Sequence, residues 1–215
     1  MNEQLFSHFY FYGDLLGTAV FAVSGALAAA EKRMDILAFC LFGVLTAIGG
    51  GTARDLILNR DAVFWVADDI HLHIALASAV MTYFFAHSLS SISKPLVWMD
   101  AVGLSIFCVQ GSAVALTLGA SPTVAVVMGM MTATFGSIIR DTILDRPAVL
   151  LGPEIYVSAA LVGSTTYVIM AEYDAINTLA LLTGTAAAFT LRAAAIIFGL
   201  QLPKFKGISG YKRGR

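Results

Sequence analysis

The chain reads as an all-α membrane protein of seven transmembrane helices, arranged as a three-plus-three inverted-topology repeat followed by a seventh helix. Three observations carry this. Of 215 residues, 58% are hydrophobic and only 13% are charged, where a soluble domain carries about 25%. The apolar runs are long enough to cross a bilayer, which takes about 20 residues per helix. And the first half returns in the second half without a gap.

The spans fall at about Phe11–Ala30, Ile36–Arg54, His71–Ser90, Trp98–Leu118, Pro122–Ile139, Ile155–Met170 and Ala175–Leu200. The second and fifth continue beyond glycine-rich stretches as short segments, near Thr52–Leu58 and Ile138–Leu144. The whole chain, 1–215, is one transmembrane domain. Repeat one covers about 11–90 and repeat two about 98–170. The seventh helix covers about 175–200, and a basic tail occupies 203–215. The first basic residue is Lys32, so the first span lacks a basic leader and is expected to be retained rather than cleaved. Cys40 and Cys108 sit inside apolar runs with no metal or disulfide spacing. A net charge of -1 gives no reason to expect a nucleic-acid partner.

Orientation follows from Lys and Arg in the loops. With the N-terminus outside, the inner face receives Lys32, Arg33, Lys94, Arg140, Arg146 and the tail residues Lys204, Lys206, Lys212, Arg213 and Arg215. The outer face receives Arg54 and Arg60. A cytoplasmic-membrane protein with its C-terminus inside fits this bias.

The repeat appears at a shift of 86 positions (100 minus 14). Asp14 meets Asp100, Gly17 meets Gly103, Phe21 meets Phe107 and Gly25 meets Gly111. Gly43, Thr46, Ala47 and Gly50 meet Gly129, Thr132, Ala133 and Gly136. Arg54, Asp55, Arg60 and Ala62-Val63 meet Arg140, Asp141, Arg146 and Ala148-Val149. Three spans per repeat is an odd number, so the second copy enters the membrane from the opposite face. That gives a pseudo-two-fold axis in the membrane plane.

Candidate functional residues cluster at the matched glycines. Gly49, Gly50, Gly51 and Thr52 in the second span, and Gly136 and Ser137 in the fifth, are expected to interrupt the two helices near the midplane. Glycine tolerates unusual backbone angles, and an unwound backbone within the membrane is tolerated only where it is buried or lines water. Freed carbonyls there can replace the hydration water of a cation. A competing reading is plain packing, since small residues four apart (Gly43, Ala47, Gly51; Gly129, Ala133, Ser137) let helices approach closely.

An Arg-Asp pair follows each stretch. Adjacent residues on a helix do not face each other, so cross-repeat pairing is expected: Arg54 with Asp141 and Arg140 with Asp55, holding or gating the path. Asp14 and Asp100 open the first and fourth spans, as helix N-terminal charges or as carboxylates drawing cations to a mouth. Thr46, Thr132, Gln110 and Ser112 either line the path or bond between helices. His71 and His73 read as interfacial rather than metal-ligating, and Trp65, Trp98 and Tyr211 as interfacial anchors. No HExxH, GxSxG, P-loop or clustered Ser/His/Asp set is present, so no enzyme and no cofactor are expected.

GTAVFAVSGALAA, AIGGGTARD and the echo FGSIIRD resemble the prokaryotic branch of the TRIC (trimeric intracellular cation) channel family, over Gly13 to about Phe198. The resemblance implies a homotrimer with one pore inside each protomer, conducting monovalent cations, chiefly potassium. It places the broken helices beside the pore at Gly49, Gly50, Gly51, Gly136 and Ser137. Eukaryotic members also bind an anionic lipid, so membrane lipid is the further ligand the resemblance allows. Bacterial domains of this type have also been labelled glycine transporters. A secondary transporter of a small solute, using the same inverted-repeat site, is therefore the alternative to a channel. A scaffold without transport is a third class, and it would place the Arg-Asp pairs at the surface.

Overall fold

The computed structural model describes residues 2–89, 91–146, 154–173 and 177–203. The tail cluster from Lys204 to Arg215, Tyr211 within it, and the repeat match at Ala148-Val149 lie outside the described residues. Among the described residues eight helices run in order: α1 Asn2–Glu31, α2 Ile36–Ile57, α3 Phe64–Ala67, α4 Ile70–Ala86, α5 Ser93–Thr117, α6 Pro122–Ile143, α7 Val157–Glu172 and α8 Asn177–Phe198. Seven correspond in position to the expected spans. The eighth, α3, is a four-residue turn that no apolar run announced. Five (α1, α2, α5, α6, α8) are long and apolar enough to cross a membrane, while α4 and α7 are shorter apolar helices of 17 and 16 residues.

Local sequence explains the helix ends. Asp35 accepts from the Ala38 N–H at 2.9 Å and caps α2, filling one of the donors a helix start leaves open. Ser121 precedes Pro122 at the first turn of α6, where the missing proline N–H costs nothing. The chain turns with positive φ at Arg33 and Gly119, and again at Asn59 and Asp145. Each pair is 86 residues apart (119 minus 33, 145 minus 59). The two helix ends before the second pair, Leu58 and Leu144, share φ −80 and ψ 3. The duplication in sequence is thus a duplication in backbone conformation.

Packing repeats as well. In the first half α1 packs on α2 and α4; in the second α5 packs on α6 and α7. The halves meet through α1 on α5 and α2 on α6, and α8 lies against α5 and α7. Small side chains fill the contacts: Ala22, Ala26, Ala75, Ala79, Ala101, Ala133 and Ala159 are all buried. Lipid tails are as apolar as leucine, so helix association in a membrane depends on close van der Waals approach. The large apolar residues point outward instead, among them Leu37, Phe84, Phe85, Ile197 and Phe198. This apolar exterior and polar interior suit a lipid solvent.

Here the expectation of broken helices fails. α2 is one uninterrupted helix through Gly49–Gly51, and α6 is one through Gly136 and Ser137. The glycines serve close approach. A Cβ placed on Gly50 would strike the Thr132 carbonyl oxygen, and one on Gly136 would strike the Thr46 carbonyl oxygen. The two contacts are symmetry mates, so α2 and α6 cross at a reciprocal backbone contact. Glycine's low helix propensity in water is outweighed where only a hydrogen atom fits.

Candidate functional site: a helix crossing between two charge clusters

The α2–α6 crossing has an arginine cluster on either side. Arg54 and Arg140 each lie four residues beyond Gly50 and Gly136, about 6 Å along their helices. Both guanidinium groups are buried, with side-chain exposures of 6% for Arg54 and 0% for Arg140. Charges in such surroundings persist only when paired and hydrogen-bonded.

At the Arg140 end the pairing is dense. Its Nε donates to Asp141 Oδ1 at 2.8 Å and Nη2 donates to Asp141 Oδ2 at 3.2 Å. Nη1 donates to Asp100 Oδ1 at 3.0 Å and to Ser24 Oγ at 2.7 Å. Ser24 in turn donates to Asp100 at 3.1 Å. Arg146, just past α6, pairs with Glu31 at 2.7 Å and approaches Asp141 at 3.9 Å. One guanidinium thereby ties α1, α5 and α6 together. Beside it, the hydroxyls of Ser137 and Tyr156 are hydrogen-bonded at 2.8 Å. Behind Tyr156, Arg192 of α8 stacks 5.2 Å from its ring centre, donates to the Ile155 carbonyl at 3.1 Å and pairs with Glu154 at 2.8 Å.

The Arg54 end uses the same positions differently. Arg54 Nε donates to Asp55 Oδ1 at 2.7 Å. Asp55 Oδ2 accepts from Arg60 at 3.1 Å and from the Phe64 N–H at 2.8 Å. Thr52 accepts from Trp65 Nε1 at 2.9 Å. The Arg54 guanidinium lies 5.7 Å from the centre of the Phe64 ring. Asp14, the mate of Asp100, contacts His71 Nε2 at 2.8 Å.

Two expectations are corrected by this geometry. Arg54 pairs with its neighbour Asp55, and Arg140 with its neighbour Asp141 and with Asp100 of the same repeat, in place of the expected Arg54–Asp141 and Arg140–Asp55 pairs. Neighbouring Cβ atoms diverge around a helix, but a long arginine side chain curls back far enough for Nε to reach the next residue. Asp14 and Asp100 also do not open their helices: α1 begins at Asn2 and α5 at Ser93, which places both carboxylates well inside. Asp100 serves as a buried partner of Arg140. Thr46 and Thr132 bond to carbonyls of their own helices, Phe42 at 2.6 Å and Met128 at 2.7 Å, as Ser112 does to Cys108 at 3.0 Å. Gln110 reaches from α5 to the Tyr10 carbonyl at 3.2 Å. His73 lies exposed beside Asp69. Among the described residues, no group of three His, Cys, Asp or Glu side chains is arranged to hold a metal ion.

Sequence reasoning missed α3, the Asp14–His71 contact, and the Tyr156, Glu154 and Arg192 set. The Asp14–His71 contact had a signal: an acid and a histidine at the corresponding ends of two spans of one repeat.

Comparison with known proteins fits this arrangement. The family model described as "Glycine transporter" matches the chain twice, at residues 11–87 and 97–172. The chain belongs to this TRIC-like family. The two matches begin 86 residues apart (97 minus 11). Its relatives include the Escherichia coli UPF0126 inner membrane protein YadS, 38% identical over 198 residues, covering 89% of this chain and 94% of that protein. A structure of the TRIC trimeric intracellular cation channel orthologue from Rhodobacter sphaeroides is 46% identical. It superposes with a TM-score of 0.86 and covers 89% of this chain and 98% of that one. A second structure, solved to explain conductance through TRIC cation channels, is 28% identical with a TM-score of 0.83, covering 93% of this chain and 98% of that one. With its apolar helices, this family membership makes the chain a multi-pass membrane protein.

Proposed function

We propose that the chain is a monovalent cation channel, preferring potassium, with one path inside each protomer and three protomers to an assembly. The observation that carries this is the likeness to the Rhodobacter TRIC cation channel orthologue, 46% identical over nearly its whole length. The path runs beside the α2–α6 crossing, bordered by Gly49, Gly50, Gly51, Thr52, Gly136 and Ser137. The arrangement described above is its closed state: the crossing is in backbone contact, and conduction requires α2 and α6 to part there. The Arg54–Asp55 cluster gates one end of the path and the Arg140–Asp141 cluster anchors the other, with Asp14 beside the first and Asp100 locked within the second. The Lys and Arg bias of the sequence supports an N-terminus outside and a C-terminus inside the bacterial inner membrane, with membrane lipid around the trimer.

A second reading has its own support. The matching family model is described as a glycine transporter, and a crossing closed at mid-helix suits the occluded stage of alternating access. Reconstitution into planar bilayers with a potassium gradient separates the two. Discrete openings whose reversal potential follows potassium support the channel. Saturable glycine uptake into liposomes, without unitary currents, overturns it in favour of the transporter.

A further inference from the structure

The two ends of the crossing differ at one pair of matched positions. Asp100 is locked to Arg140, whereas Asp14 has turned to His71, at 2.8 Å. The sequence explains the divergence. Ser24, which bridges Arg140 and Asp100, is replaced at its mate by Gln110, which bonds to the Tyr10 backbone instead. The mate of His71 is Val157 (71 plus 86), so Asp100 has no histidine at the matched position.

His71 is held between two acceptors. Nε2 faces the Asp14 carboxylate from α1, and Nδ1 faces the Asp68 carbonyl at 3.4 Å from the α3–α4 connection. A neutral imidazole donates from only one nitrogen, and only the imidazolium donates from both. The Asp68 carboxylate stands nearby and accepts from the Ile70 N–H at 3.1 Å. The remaining face of the ring is taken by Phe64, edge-on at 4.9 Å. Phe64 also meets Arg54, and Tyr10 of α1 lies close enough to Asp14, Arg54 and Arg60 to interact with all three.

Phe64 is the link that gives this contact a consequence. Its backbone N–H is held by Asp55, its ring lies under Arg54, and its Cε1 would lie 2.6 Å from a Cβ on Gly51. The neighbouring Trp65 is tied to Thr52. The short helix α3 thus sits directly over the Gly51–Thr52 turn of α2, pinned from α2 on one side and braced by His71 on the other.

We propose that His71 and Asp14 form a proton-operated latch that holds α3 against the Gly51 turn of α2. This rests on the channel reading for its functional consequence, but not for its structural one. With a proton on His71 the contact is a salt bridge and both ring nitrogens donate, to Asp14 and to the Asp68 carbonyl. Without it, the charge–charge attraction is lost and the imidazole keeps a single N–H, so only one of the two contacts can remain a hydrogen bond. The Asp14 side chain is 20% exposed and the polar Asp68–Asp69 connection beside His71 is exposed, which gives protons a route to the pair from that edge. Raising the pH loosens α3 and favours the open path.

The test uses the full-length protein in nanodiscs and in planar bilayers. Trp65 lies on α3, and Trp98→Phe leaves it as the sole tryptophan. Its emission is followed from about pH 5 to 9, the range that brackets histidine titration. A sigmoidal shift in this parent, lost in His71→Gln and in Asp14→Asn, is the expected result. Open probability should rise about tenfold over the same range in the parent, and stay flat in both variants. A Trp65 emission that ignores pH, or that titrates equally in His71→Gln, overturns the latch. If His71→Gln does not fold, the parent and Asp14→Asn decide. Trp65 titration with no unitary current at any pH refutes the channel reading and leaves the latch standing.

Discussion

Replacing either repeat arginine by methionine provides a direct comparison, because the two positions match in sequence and differ in surroundings. Arg140→Met removes the donors of two carboxylates at once. Asp100 is left with Ser24, and Asp141 with Arg146 at 3.9 Å. Removing one partner of a buried ion pair costs about 3–5 kcal/mol, because the other charge stays buried and uncompensated. Arg54→Met strands less. Asp55 keeps Arg60 and the Phe64 N–H, at 3.1 and 2.8 Å, so the loss is about one charged hydrogen bond, roughly 1.5–3 kcal/mol. For a chain of this size 1 kcal/mol corresponds to about 2–4 °C in Tm. Arg140→Met should therefore lower Tm by roughly 6–20 °C, and Arg54→Met by roughly half of that. Tryptophan-fluorescence melts of both variants in one nanodisc composition measure the difference, and Arg140→Lys, which keeps the charge, should recover part of it. Equal losses, or a larger one for Arg54→Met, would falsify the claim that Arg140 is the main structural clamp.

Other consequences follow from the same contacts. Gly50→Ala should cost about 1–3 kcal/mol, the range for overpacking, because its Cβ meets the Thr132 backbone carbonyl, which cannot swing aside. Gly49→Ala meets only Ile139 Cδ1 at 3.3 Å and Gly136 Cα at 3.4 Å, and should melt within a few degrees of the parent. In a double-mutant cycle, Arg140 and Asp100 should couple by about 0.5–3 kcal/mol, while Arg54 and Asp141, which share no contact, should add to within about 0.5 kcal/mol. Glu154→Gln should weaken the hold of α8, read as faster backbone hydrogen exchange around Tyr156 with little change at the α2–α6 crossing.

Much of this architecture was legible because duplication and hydropathy are long-range signals. Asp, Arg and Gly matches in register from Asp14 to Arg60 are not produced by apolar composition alone, and the paired turns at Arg33 and Gly119 and at Asn59 and Asp145 carry the same duplication in the backbone. What failed was local. Three consecutive glycines look like a helix breaker when judged by propensity, yet Gly50 and Gly136 are used for contact with a backbone carbonyl across the crossing, which propensity does not encode. The packing alternative was right that small residues here serve close approach, but its registers (Gly43, Ala47, Gly51; Gly129, Ala133, Ser137) pass beside Gly50 and Gly136 and do not include them. The pairing of Arg54 and Arg140 failed for a different reason. Helical angle locates Cβ atoms, whereas an arginine's charge lies several rotatable bonds beyond Cβ. Phe64–Ala67 was too short to leave a periodic signal, and Glu154 and Tyr156 fell in a connection whose partner, Arg192, is far away in sequence.

The way the duplicated halves diverge bears on which end should move. Two copies related by a pseudo-two-fold axis begin with equal ends, and each substitution at a matched position biases one against the other. At the Arg140 end, Ser24 closes a three-way bond among α1, α5 and α6, and Tyr156 braces Ser137 with Arg192 behind it. Arg140, Ser24 and Asp100 each bond to another helix, so displacing α6 breaks two buried bonds of the Arg140 guanidinium together. At the Arg54 end, Arg54 answers chiefly to its own neighbour Asp55 and to the Phe64 ring. Asp14 has left it for a histidine that holds its charge only while protonated. Displacing α3 there breaks the bond from the Phe64 N–H to Asp55, one indole bond to Thr52 and the ring contact between Phe64 and His71. Local opening draws on the least stable contacts. The Arg54 end is therefore the one expected to open first, with the Arg140 end as the fixed pivot, and hydrogen exchange of the Phe64–Ala67 amides should run faster than that of the Ile138–Thr142 amides.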